Sequence, residues 1–111
     1  MHLHKIFYAL YIFHPYNIVI NNKTKIGHHV VLRGNTTIGN NGNNKIASPI
    51  IGDNVDIGIN VNIFGPISIG KNTKIGGGAV VVKSAPEYSV LVGNPARNVS
   101  NKNLQGSNKN E

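Results

Sequence analysis

The hydrophobic positions of this chain repeat with a period of six. Aliphatic residues stand at Ile20, Ile26, Leu32 and Ile38, and again at Ile51, Ile57, Ile63, Ile69, Ile75 and Val81. Four positions after nine of these ten comes a small or β-branched residue: Thr24, Val30, Thr36, Val55, Val61, Ile67, Thr73, Ala79 and Ala85. Gly often follows the aliphatic position, as in IGHHVV, IGDNVD, IGINVN, IGKNTK and IGGGAV. An amphipathic helix repeats near 3.6 and a half-buried strand at 2, so neither explains a spacing of six. A short strand and a tight turn do, if successive strands form the flat sides of a prism. The aliphatic residue then points inward and stacks on its equivalent one coil away, at roughly 4.8 Å. The small residue lets the chain bend near each corner, and Gly or Asn takes the strained turn geometry. The pattern predicts an all-β parallel helix of hexapeptide repeats with a triangular section. A β-sandwich of short strands is the competing architecture, and ten hexads argue against it.

The register slips once. From Ile38 to Ile51 is thirteen positions rather than twelve, and the intervening GNNGNNKIASPI is polar until Pro49, so a loop over 39–50 leaves the prism. Loops on rigid scaffolds often carry function. Residues 1–17 are expected to form an N-terminal strand and partial coil, with Ile6–Phe13 as the first buried strand. That run is short, lacks a small-x-small cleavage site and cannot span a bilayer. The prism is expected over 18–99, and 100–111, almost without apolar residues, as a disordered tail.

Composition changes this picture little. The 111 residues suit one small domain, and 13 Gly with 18 Asn suit a chain that turns often. Cysteine is absent, which removes disulfides, Cys-zinc sites and thiol nucleophiles. The net charge of +7 is spread from Lys5 to Lys109 without a run or aromatic interleaving, so no nucleic-acid partner is expected. A basic surface also suits a small polyanion.

Residues 9–99 resemble the catalytic part of hexapeptide-repeat acyltransferases, most of all serine acetyltransferase and its relatives in polysaccharide clusters. The resemblance rests on ALYIFHPYNIVI at 9–20, the hexad array, and VLVGNPARNV at 90–99 after Ala85-Pro86. It implies a left-handed parallel β-helix, a cytoplasmic homotrimer and acetyl transfer from acetyl-CoA to a hydroxyl. The family's catalytic base falls on His14. A hydroxyl is a poor nucleophile until it loses its proton, and imidazole titrates near working pH. Backbone N–H groups at Gly39 and Asn40 match the family's Gly-Gly and would stabilise the oxyanion. Coenzyme A would follow Gly39, Asn40, Ile59 and Gly77, with Gly58 and Gly76 beside them, and Lys83 and Arg97 would meet its phosphates. His28 and His29 fall in variable slots and are expected at an exposed turn, and His2 and His4 outside the prism. Carbonic anhydrases of the same fold use three His, two of them five apart. That pair is missing here, and no metal site is expected.

Four departures from the family pattern bear on the acceptor. Phe13 stands where serine acetyltransferases place Asp before the catalytic His. Ala47 and Ser48 replace an Arg-His pair, and no acidic residue precedes Asp53 to orient His14. Ile59 replaces a small residue at the pantetheine wall. Free serine is a zwitterion that needs opposite charges, so a sugar hydroxyl of a surface polysaccharide is the expected acceptor ahead of serine. The N-terminal helical domain of serine acetyltransferases and their terminal Ile are also absent, which removes the expectation of their hexamer and of a sulfhydrylase complex. The alternative to an enzyme is a catalytically inactive trimeric scaffold or truncated remnant.

Overall fold

The computed structural model describes residues 10–40, 42 and 48–100. The expected start of the first strand, His2, His4, Ala47 and residues 101–111 lie outside them. Among the described residues the strands are β1 (Leu10–Phe13), β2 (Val19–Ile20), β3 (Lys25–Ile26), β4 (Val30–Arg33), β5 (Thr37–Gly39), β6 (Ile50–Ile51) and β7 (Asp56–Ile57). They continue with β8 (Asn62–Phe64), β9 (Ser68–Ile69), β10 (Lys74–Ile75), β11 (Val80–Val81), β12 (Val90–Val92) and β13 (Arg97–Asn98). They form three faces of a left-handed parallel β-helix. The first face runs β1-β4-β7-β10-β12-β13, the second β2-β5-β8-β11, and the third β3-β6-β9. All pairings are parallel except β12 with β13, which closes the last coil.

The aliphatic positions form ladders inside the prism. Ile20 pairs Ile38, Ile38 pairs Ile63 and Ile63 pairs Val81. On the first face Ile57 pairs Ile75, and Ile75 pairs Leu91. Ile38, Ile57 and Ile63 have no exposed surface, nor do the corner residues Val30, Thr36, Val55, Val61, Thr73 and Ala79. Each buried Ile or Val among them contributes roughly 1.5–3 kcal/mol on burial, so the ladders dominate stability. The residue before each of these corner positions takes the left-handed conformation. His29, Asn35, Asn54, Asn60 and Asn72 have φ between 58° and 61°, and Gly78 has φ 78°. Asn and Gly tolerate that region better than other residues, which accounts for the Asn at four of these corners.

Two irregularities differ from the sequence reading. Consecutive coils are 18 residues apart at Val19↔Thr37 and Asn62↔Val80, but 25 apart at Thr37↔Asn62. Ile38 lies on the second face and Ile51 on the third, as immediate neighbours along the coil. The break is therefore an insertion of seven residues at one corner, not a skipped hexad with a one-residue slip. The final coil is shorter by two: Lys74 pairs Val90 and Ile69 pairs Ala85, each a step of 16. Ala85 thus fills an aliphatic slot of the third face, which is why the period fades at Pro86.

The first strand is a correction. β1 was expected to be buried, yet Tyr11, Ile12 and Phe13 are exposed and Leu10 only half-buried. It sits at the edge of the first face with β4 on one side, and its Tyr11 and Phe13 side chains project outward. The Tyr11 ring stacks on His29 at 6.2 Å, and the Arg33 guanidinium lies 5.8 Å above Phe13.

Candidate functional site

His14 ends β1 at the corner that leads to β2. It is exposed and has φ 53°, in the left-handed region. A residue before proline is ordinarily extended, so this conformation at His14-Pro15 is held by its surroundings. The Tyr16 N–H donates to the His14 carbonyl at 2.7 Å, and the Asn35 N–H donates to the Tyr16 carbonyl at 2.8 Å. Asn17 Nδ2 donates to Asn35 Oδ1 at 2.9 Å. An added Cβ on Gly34 would lie 2.5 Å from the His14 carbonyl oxygen. The His14 corner thus rests directly on the turn at Gly34 and Asn35.

The same corner continues down the prism through Gly58–Asn60 and Gly76–Gly78. Gly58, Ile59, Gly76 and Gly77 therefore share one edge with His14. A Cβ on Gly58 would meet the Gly77 nitrogen at 2.6 Å, and the Gly78 N–H donates to the Ile59 carbonyl at 2.9 Å. Close packing of backbone leaves a low wall along this edge, interrupted by the half-exposed Ile59 side chain.

Gly39 and Asn40 stand on a different edge, across the second face. The Gly39 carbonyl accepts the Gly65 N–H at 3.0 Å, and Asn40 Oδ1 accepts the Gly42 N–H at 2.9 Å. The chain from Gly34 to Gly39 crosses that face, a span of up to roughly 16 Å at strand rise. One chain does not bring His14 and Gly39 to the same carbon atom. Lys83 and Arg97 meet at the end of the prism, where both line a cleft of about 310 Å³ with Val82, Pro86, Leu91 and Pro95.

Among the described residues no carboxylate bonds the His14 imidazole. Asp53 accepts the His28 backbone N–H at 2.8 Å, Asp56 pairs with Arg33, and Glu87 pairs with Lys71 at 3.5 Å. His28 and His29 are exposed at a turn, as expected. The sequence reading passed over Gly34, Asn35 and Asn17. The signal for Gly34 was its place two residues after Leu32, outside the slot where the repeat puts Gly. It also passed over Lys23 and Lys25, which share a shallow cleft with Ser48, Ile50 and Pro66. Ser48 Oγ donates there to Asn21 Oδ1 at 3.2 Å.

Coils of this shape, with a His on a Gly-lined edge, define a hexapeptide-repeat β-helix protein. No protein-family model matches the chain. It is 42% identical over 86 residues to the provisionally named colanic acid biosynthesis acetyltransferase WcaB of Escherichia coli (strain K12), covering 78% of this chain and 53% of that protein. The structure superposes on Neisseria gonorrhoeae serine acetyltransferase with a TM-score of 0.80 and 37% identity, over 84% of this chain and 36% of the other. Serine acetyltransferase from Brucella abortus strain S19, solved in complex with coenzyme A, gives a TM-score of 0.80 at 30% identity, over 82% of this chain and 37% of that one. The chain belongs to the hexapeptide-repeat acyltransferase family. It spans about half the length of WcaB and just over a third of these serine acetyltransferases.

Proposed function

We propose that the protein is an O-acetyltransferase that moves an acetyl group from acetyl-CoA to a hydroxyl, with His14 as general base. The observation that carries this reading is the placement of His14 on the edge that also holds Gly58, Ile59, Gly76 and Gly77. A thioester arm lying along that low wall would bring its acetyl group to the imidazole. His14 takes the acceptor's hydroxyl proton as its oxygen attacks the thioester carbon. The tetrahedral oxyanion collapses, the C–S bond breaks, and the proton passes from His14 to the departing thiolate. Lys83 and Arg97 at the end of the prism suit the phosphates of the nucleotide end.

The working form in this reading is a homotrimer with sites between copies. That arrangement would set the Gly39-Asn40 edge of one copy against the His14 edge of another, so that backbone N–H groups could meet the oxyanion. Phe13 lies under Arg33, and Arg33 is itself paired with Asp56, so the charges that would hold free serine's amine are missing there. Lys23 and Lys25 beside Ser48 supply only positive charge. A sugar carrying a carboxylate or a nucleotide phosphate fits that balance better than serine.

A second reading, a trimeric scaffold without activity, is favoured by the absence of a described carboxylate on His14. Thiol release from acetyl-CoA in the presence of nucleotide-sugar acceptors or serine separates the two. Acceptor-dependent release supports the enzyme, and release no faster than spontaneous hydrolysis with every acceptor supports the scaffold.

A further inference from the structure

We infer that Gly34 and Asn35 are positioning residues for His14, acting as a backbone clamp that fixes the direction of its imidazole. The inference rests on the general-base reading above for its catalytic consequence, but its structural part stands apart from it. His14 occupies a conformation that two local rules disfavour at once: φ is 53°, and the next residue is Pro15. Residues in such regions persist when the surroundings over-determine them. The corner at residues 14–17 leads out of the edge strand β1, with no described coil beyond it, and its described contacts to the next coil fall on the turn at Gly34 and Asn35.

Four contacts make that turn a template. The His14 carbonyl oxygen lies 2.5 Å from where a Gly34 Cβ would be, closer than a real Cβ allows. The Asn35 N–H holds the Tyr16 carbonyl at 2.8 Å, and Val19 N–H donates to the Thr36 carbonyl at 3.0 Å. The Asn35 side chain accepts from Asn17 at 2.9 Å, and both asparagines are left-handed, with φ 58° and 56°. The turn itself is rigid: Gly34 is buried between fully buried Leu32 and Thr36, and its carbonyl accepts the Asn60 N–H at 2.9 Å. Strain introduced at Gly34 therefore relaxes outward, by displacing the exposed His14 corner, rather than inward through the ladders.

The test compares Gly34→Ala and the milder Asn35→Gly, which keeps the left-handed backbone but loses the Asn17 bond. Imidazole resonances of His14, His28 and His29 are followed by NMR in the full chain, alongside kcat and the KM for acetyl-CoA. Gly34→Ala is expected to shift the His14 resonances and leave those of His28 and His29 in place. It should lower kcat about 10- to 100-fold with little change in KM, as a displacement near 1 Å would. Asn35→Gly should do the same on a smaller scale. In a His14→Ala background, Gly34→Ala should cost less than about twofold, because the group it positions is gone. Unchanged His14 resonances in a folded Gly34→Ala protein would overturn the clamp, and so would losses that multiply independently in the double variant. Shifted His14 resonances together with a fully active His14→Ala protein would instead overturn the general-base reading and leave the clamp standing.

Discussion

His14 and Gly39 stand on two different edges of the same prism face, with the strands β2, β5, β8 and β11 between them. A general base and an oxyanion donor must act within hydrogen-bond reach of one carbonyl group. In a single copy they do not converge. The Gly39-Asn40 assignment therefore requires a second copy to bring its own edge to the first.

This makes assembly testable. Sedimentation equilibrium at micromolar concentration should give three chain masses, and activity should vanish where dilution dissociates the particle. A monomer with full acceptor-dependent activity would exclude a shared site.

The acceptor follows from charge. The described surroundings of His14 offer Phe13 under Arg33, and the cleft across the second face offers Lys23 and Lys25, which a neighbouring copy would bring to the site. Turnover on free serine is expected to be at least tenfold below that on the best nucleotide-sugar or uronate acceptor, a difference of about 1.4 kcal/mol in barrier. Initial rates of thiol release across an acceptor series at fixed acetyl-CoA measure this directly. Serine equal to the best sugar would show that the missing charges do not govern selection.

A stability test comes from the core. Thr24 is buried at 8% exposure, and its hydroxyl has no hydrogen-bond partner among the described residues. An unpaired buried hydroxyl costs about 1–3 kcal/mol, and Val has the same shape without it. Thr24→Val should raise the thermal midpoint of the full chain by several degrees, read by circular dichroism. An unchanged or lowered midpoint would mean that the hydroxyl is satisfied in solution.

The fold was legible in the sequence because each coil repeats one physical unit. Ile38, Ile63 and Val81 recur where the ladder needs them, and Asn54, Asn60 and Asn72 recur where the backbone turns left-handed. The insertion after Ile38 was visible as a break, but its length was not. A hexad count cannot distinguish a skipped side from a longer loop without knowing which face Ile51 occupies. The exposure of β1 was also hidden, because LYIF reads as a core strand wherever it lies. For the proposed site, His14 and the glycines of its edge were proposed from the motif and from the family resemblance. Gly34 and Asn35 were not, since their importance comes from a contact twenty residues away in sequence that only the coil closes.

The most direct measurement for the account is kcat of His14→Ala in the acetyl-CoA assay with the best acceptor, beside the binding of acetyl-CoA to the same protein. His14 is exposed and its side chain contributes nothing to the ladders, so the variant should fold and bind acetyl-CoA normally. General-base catalysis contributes about 10²–10⁴-fold, and kcat should fall by that factor while the affinity for acetyl-CoA changes less than about threefold. A folded His14→Ala protein that binds acetyl-CoA and turns over at the wild-type rate would contradict the account.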